Sequence, residues 1–183
     1  ATGVTGIRTA AAQSSYPERP VTFIVPFGAG GGTDIIARTV SEDLTKALGK
    51  AIIVEPRPGA NGAIGSTVVA RAVPDGYTLL FTGSSTYSLN PNLMKEITYD
   101  QLKDFVAVAT IGRSPWTLTV PIDSQFKTVA DVIAYGKANP GKLFFPYWQS
   151  SVLVTGEMFG SVTGIQMRKV PYKGQSEVTT DFL

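Results

Sequence analysis

The chain has 183 residues, 43% of them hydrophobic and 16% charged, a globular composition with room for one sizeable domain or parts of two. Its 16 basic and 14 acidic residues are scattered without a basic run or stripe, which argues against a nucleic-acid partner. Cysteine and histidine are both absent, excluding zinc sites built on them and Ser-His-Asp or Cys-His catalysis within this chain, and no apolar stretch approaches the roughly 20 residues of a membrane span.

Residues 1–15 are small, polar and without periodicity. They read as a flexible leader, or as a stretch around a secretory cleavage site at Ala10-Ala11-Ala12-Gln13, and are set aside from the fold. The run Val21-Thr22-Phe23-Ile24-Val25 predicts a buried strand. A helix follows over residues 33–48, with Thr33 as its cap, Asp34 complementing its N-terminal dipole and Gly49 as its stop. Ile36, Val40, Leu44 and Ala47 are expected on its buried face. A strand is expected over residues 51–54, a Pro/Gly loop over 55–62, a helix over 64–71 and a strand over 77–82. Gly83-Ser84-Ser85 then leaves as a polar loop, and Asn90-Pro91 starts a short helical turn.

Strands are predicted over residues 104–111 and 116–120, broken by Gly112-Arg113-Ser114-Pro115, where the chain is expected to cross between two lobes about a hinge. The alternation then resumes. A helix over residues 128–138 carries a capping box of Thr128 and Asp131. A strand at 143–145, a helix over 150–162, a strand over 167–170 and a helix from 175 complete the pattern. Such alternation predicts an α/β fold with mainly parallel sheets, whose ligands bind beyond the carboxyl ends of the strands. The loops 26–33, 82–86 and 146–151 would meet there.

The first of these loops, Pro26-Phe27-Gly28-Ala29-Gly30-Gly31-Gly32-Thr33-Asp34, is the most informative. Glycines let a backbone turn tightly and approach a ligand, and the free N–H groups and positive dipole end of the next helix favour an anion. No lysine occurs between Pro26 and Thr45, so the loop is not a P-loop, and Thr33 stands where a dinucleotide fingerprint needs its third glycine. If Gly31 has a positive φ, a β-branched residue there should abolish binding with little loss of folding.

From Tyr16 to Leu183 the chain resembles the solute-binding receptors of tripartite tricarboxylate transporters, the Bordetella uptake gene (Bug) family. The likeness rests on motifs in order: Tyr16-Pro17-x-x-Pro20; Val25-Pro26-Phe27 with the glycine loop and Thr33-Asp34; Glu55-x-Arg57-Pro58-Gly59-Ala60; Pro74-Asp75-Gly76-Tyr77-Thr78-Leu79-Leu80. Asn90-Pro91, Lys103-Asp104-Phe105, Asn139-Pro140-Gly141-Lys142-Leu143, Gly156-Glu157-x-Phe159 and Val170-Pro171-Tyr172-Lys173-Gly174 continue it. The resemblance implies a two-lobed Venus-flytrap receptor, exported to the Gram-negative periplasm, that binds a dicarboxylate or aromatic acid for membrane transporter subunits. The family is longer, so lobe 1 is expected over residues 16–112 and an incomplete, C-terminally truncated lobe 2 over 113–183. A monomer is expected for the full-length protein, with no cofactor.

By the same resemblance Phe27, Gly28, Ala29, Gly30, Gly31, Gly32 and Thr33 would grip a ligand carboxylate, joined by Ser84 and Ser85 and, from the second lobe, Trp148, Gln149, Ser150 and Ser151. That second loop departs from the family's small, Ser/Gly-rich pattern: Tyr147 and Trp148 are bulky, which favours an aromatic or bulky carboxylate unless Trp148 only fills core. The competing functions are an α/β enzyme acting on a carboxylate and a ligand-sensing signalling module. For an enzyme, Asp34, Glu55 and Lys173 are the candidates, but a helix-terminal aspartate, a Glu55–Arg57 ion pair and a turn lysine account for them more simply.

Overall fold

The computed structural model describes residues 16–183; the expected leader lies outside the described residues. Two parallel sheets organise the chain. In the first, β1 (Val21–Val25) lies between β2 (Ile52–Pro56) and β3 (Thr78–Leu80), with Phe23 opposite both Val54 and Leu79. The second pairs β4 (Leu143–Tyr147) with β5 (Met167–Pro171). Apolar runs take the centre because a strand flanked on both edges and covered by helices must bury both faces. Val21, Ile24 and Val25 of β1 are accordingly almost wholly buried.

Helix α1 (Gly32–Leu48) packs on β1 and β2 and stops at Gly49, whose φ of 68° is the left-handed cap expected there. A turn of 3₁₀ helix, Ala60–Gly62, leads into α2 (Ala63–Ala70). Beyond β3 the chain makes one π-helical turn, Ser85–Leu89, and runs on into α3 (Asn90–Leu93). Helix α4 (Val129–Ala138) carries the predicted capping box: Asp131 N–H donates to Thr128 Oγ1 at 3.2 Å, and Thr128 N–H to Asp131 Oδ2 at 2.8 Å. Helix α5 (Ser150–Thr163) crosses between β4 and β5, and α6 (Gln175–Phe182) follows β5.

Four expectations need correction. Helix α1 is capped at Gly31 rather than Thr33, with no local side-chain cap. Its buried face is Asp34, Ala37 and Ser41, while Ile36 is 48% exposed. Small residues let the helix axis approach the sheet, so size and not hydropathy selects the face. Residues 104–120 form no strand: Val106 and Val108 are 90% and 79% exposed, and no ladder partner lies beside them among the described residues. The polar loop after β3 is a helical turn, which the consecutive Ser-Ser-Thr sequence conceals.

The connection between β2 and α2 is strained into place. Gly59, Ala60, Asn61 and Gly62 all have positive φ. At Gly62 the φ is 90°, and a Cβ would collide with the Thr86 side chain while pressing on Phe27 and Pro26. Loops after β1 and β2 thus meet the π-helical turn at the carboxyl edge of the first sheet.

Candidate functional site

The carboxyl ends of the two sheets face one another, and their helices cap each other. Each helix start leaves backbone N–H groups without intrahelical partners. At α1 the N–H of Gly32 donates to Oε1 of Gln175, 143 residues away at the start of α6, at 2.9 Å. At α5 the N–H of Ser151 donates to Oγ of Ser85 at 3.1 Å, and Ser85 Oγ donates to Ser151 Oγ at 2.8 Å. Neither α1 nor α5 has a side-chain cap from its own N-cap residue. The cap comes in both cases from the opposing unit.

The second of these contacts is buried and extended by further bonds. Ser150 Oγ donates to Asn90 Oδ1 at 2.6 Å, and Asn90 Nδ2 donates to the carbonyl of Asn61 at 2.9 Å. Gln149 Nε2 donates to Ser151 Oγ at 3.1 Å. Ser85, Thr86, Asn90, Ser150 and Ser151 are all buried. Tyr99 Oη donates to the Thr86 carbonyl, and burial raises its pKa. No buried side-chain polar atom lacks a partner among the described residues. A polar seam of this kind is tolerable only when fully paired, because each orphaned group costs about 1–3 kcal/mol.

The glycine loop spends part of its donor capacity on itself. Gly30 N–H donates to Asp34 Oδ2 at 2.9 Å, and Gly31 N–H reaches the Gly28 carbonyl at 3.4 Å. Asp34 is buried and takes two more bonds from Arg38, from Nε to Oδ2 at 3.0 Å and from the guanidinium to Oδ1 at 3.1 Å. Arg38 foremost, then the Gly30 N–H, holds the Asp34 carboxyl below the ordinary carboxylate range. The pair neutralises the loop's own charge. The N–H groups of Thr33 and Asp34 have no partner among the described residues and remain open donors at the positive end of a 17-residue helix. Gly31 has a φ of −76°, so the positive φ belongs to Gly30, at 75°. A β-branched residue at Gly31 is limited instead by the Gly28 carbonyl, 3.3 Å from where its Cβ would sit.

The other expected site residues fall into place by element. Phe27 is half-buried against Gly62, Ala29 and Gly30 are exposed, and Gly31 is buried. Ser84 is exposed where the π-helical turn begins. Trp148 and Gln149 join the end of β4 to α5, and Trp148 is half-buried, neither core nor free. Loop 146–151 is shorter than expected, since Pro146 and Tyr147 belong to β4. Glu55 pairs with Arg57 as anticipated. Asn90, though part of the Asn90-Pro91 motif, and Gln175 are not among the expected site residues. Each signals itself only as a helix-starting polar residue, and no pattern in the chain says that its partner lies 60 or 143 residues away. Among the described residues no cluster of acidic groups could hold a metal ion.

Residues 36–183 match the model of the tripartite tricarboxylate transporter family receptor. Among curated relatives, a UPF0065 protein of Bordetella bronchiseptica is 37% identical over 174 residues, 95% of this chain and 52% of its own length. Protein BugT of Bordetella pertussis is 35% identical over 181 residues, 97% of this chain and 56% of its own. The chain therefore spans about half the length of the curated relatives it matches. Among solved structures, R. palustris Rpa4515 with adipate is similar at a TM-score of 0.87 and 32% identity, over 91% of this chain and 56% of that one. MatC from Rhodopseudomonas palustris with bound malate follows at 0.82 and 28%, over 91% and 57%. The periplasmic binding protein BugD gives 0.67 and 31%, over 91% and 56%.

Proposed function

This chain belongs to the tripartite tricarboxylate transporter receptor family, and on that premise we propose that it is the ligand-gripping part of a periplasmic receptor for an organic dicarboxylate or aromatic acid. The family and its structural neighbours are solute receptors, two of them holding adipate and malate. The fold is that of the two-lobed binding proteins. No helix among the described residues is long and apolar enough to cross a membrane.

The observation that carries the reading is the N-terminus of α1. Two backbone N–H groups have no partner there among the described residues, beside a loop whose one carboxylate is already neutralised by Arg38. A ligand carboxylate at Thr33 and Asp34 N–H gains charge-assisted bonds and the helix dipole together. Phe27 and the loop from Gly28 to Thr33 supply the wall on the first lobe, residues 16–112. Ser84, Trp148 and Gln149 supply polar and aromatic contacts, with Ser85, Ser150 and Ser151 beneath them. The second lobe begins at residue 113. Delivery of the acid to membrane transporter subunits, action as a monomer and a periplasmic location complete the proposal. A planar acid would stack on Trp148 if its half-buried ring turns to the ligand.

Thermal shift with adipate, malate and phthalate tests it. A ligand binding only the folded state raises stability by about 2.7 kcal/mol at a hundredfold excess over its Kd, several degrees for a chain of this size. A shift with at least one of the acids and none with its diamide is expected. Equal shifts with acid and diamide would remove the anion site from the argument.

A further inference from the structure

Asn90 touches no open donor of the glycine loop, yet it joins the turn after β2 to the start of α5 through the buried seam. It is wholly buried at the start of α3. Its carboxamide spends one end on each unit: Nδ2 on the carbonyl of Asn61, in the strained turn after β2, and Oδ1 on the hydroxyl of Ser150, the first residue of α5. The 2.6 Å bond to Ser150 sets where α5 begins, and one residue later Ser151 N–H finds its cap on Ser85. A carboxamide suits this place because it offers an acceptor and a donor on one rigid plane. A leucine of similar size would leave both the Asn61 carbonyl and the buried Ser150 hydroxyl without this partner.

We infer that Asn90 is a positioning residue for the ligand site: through Ser150 it sets the start of α5, and with it Gln149 and Trp148, against the glycine-loop unit before any ligand arrives. The inference rests on the carboxylate-receptor reading. Its function is preorganisation. A site assembled in advance loses less conformational freedom on binding than one assembled by the ligand. Ser150 acts as the handle by which Asn90 holds α5, and variants at the two positions remove one and the same constraint.

A double-mutant cycle tests this, using Asn90→Ala, Ser150→Ala and the double variant of the protein, with adipate affinity measured by calorimetry and malate as a second probe. Each single variant is expected to lose roughly tenfold in affinity, and the double variant no more than the worse single one, because residues in one network are not additive. Hydrogen exchange at the first turn of α5 should rise in both single variants without ligand. Losses that multiply in the double variant would overturn the inference, as would wild-type affinity in Ser150→Ala. Should Asn90→Ala not fold, Ser150→Ala alone decides: a tenfold loss with faster exchange at Ser151 supports the positioning role, and unchanged exchange overturns it. A wild-type protein that binds neither acid nor any other carboxylate overturns both this inference and the receptor reading. Wild-type binding with unaltered variants overturns the inference alone.

Discussion

The two cross-caps use the same chemistry in opposite surroundings. Around α5, Ser85 caps Ser151 inside a buried seam shared by Asn90, Ser150 and Asn61. Around α1, Gln175 caps Gly32 through one exposed bond from a flexible side chain. A buried bond is costly to lose because its orphaned groups find no water; an exposed one is exchanged for water at little cost. The seam is therefore the stiffer joint of the two, and the Gly32–Gln175 contact the cheaper one to break. The backbone donors without a partner among the described residues lie on that second side, at Thr33 and Asp34.

Perturbing the base of the seam should have the largest effect. Gly62→Val puts a β-branched residue at a φ of 90° and its Cβ into Thr86, and should cost about 3 kcal/mol or more in urea unfolding. A loss below about 1 kcal/mol would mean that the turn after β2 yields easily and the joint is soft. Ser85→Ala comes next. It strips the cap from Ser151 and should cost about 2 kcal/mol, with α5 amides exchanging faster than those of α1.

Asp34→Asn sharpens the other side, with about 1 kcal/mol lost at neutral pH as the Arg38 pairing weakens. The Asp34 carboxyl is held below its unfolded pKa, so its stabilisation is complete above the unfolded value and is lost as pH falls through the folded one. The gap between wild type and Asp34→Asn should therefore narrow in acid, and a gap that widens would contradict the assignment. Gln175→Ala should have the smallest effect on stability, within about 0.5 kcal/mol, because its bond is exposed. If it instead matches Ser85→Ala, the contrast between the two caps disappears.

Local physics made much of the molecule legible. The apolar run of β1, the glycine stop of α1 and the Thr128–Asp131 box of α4 are decided within a few residues, by burial demand, by the left-handed conformation and by orphan N–H groups. The contact of the loop at 82–86 with that at 146–151, Ser85 against Ser151, fits parallel α/β topology, and the ordered motifs pointed to the family. Residues 104–120 defeated the same reasoning, since their apolar alternation describes a strand only when a partner strand is present.

The chain by itself thus determined the order of most strands and helices, the glycine loop between β1 and α1, and the family. Tertiary structure alone decided how the donors are spent: Gly30 on Asp34, Gly32 on Gln175, Ser151 on Ser85, leaving those of Thr33 and Asp34 without a partner among the described residues. It also decided that Asn90 sits at the centre of the seam. The physical reason is range. Propensity and patterning act over a few residues, whereas a hydrogen bond between residues 60 to 143 apart exists only once packing has brought their elements together.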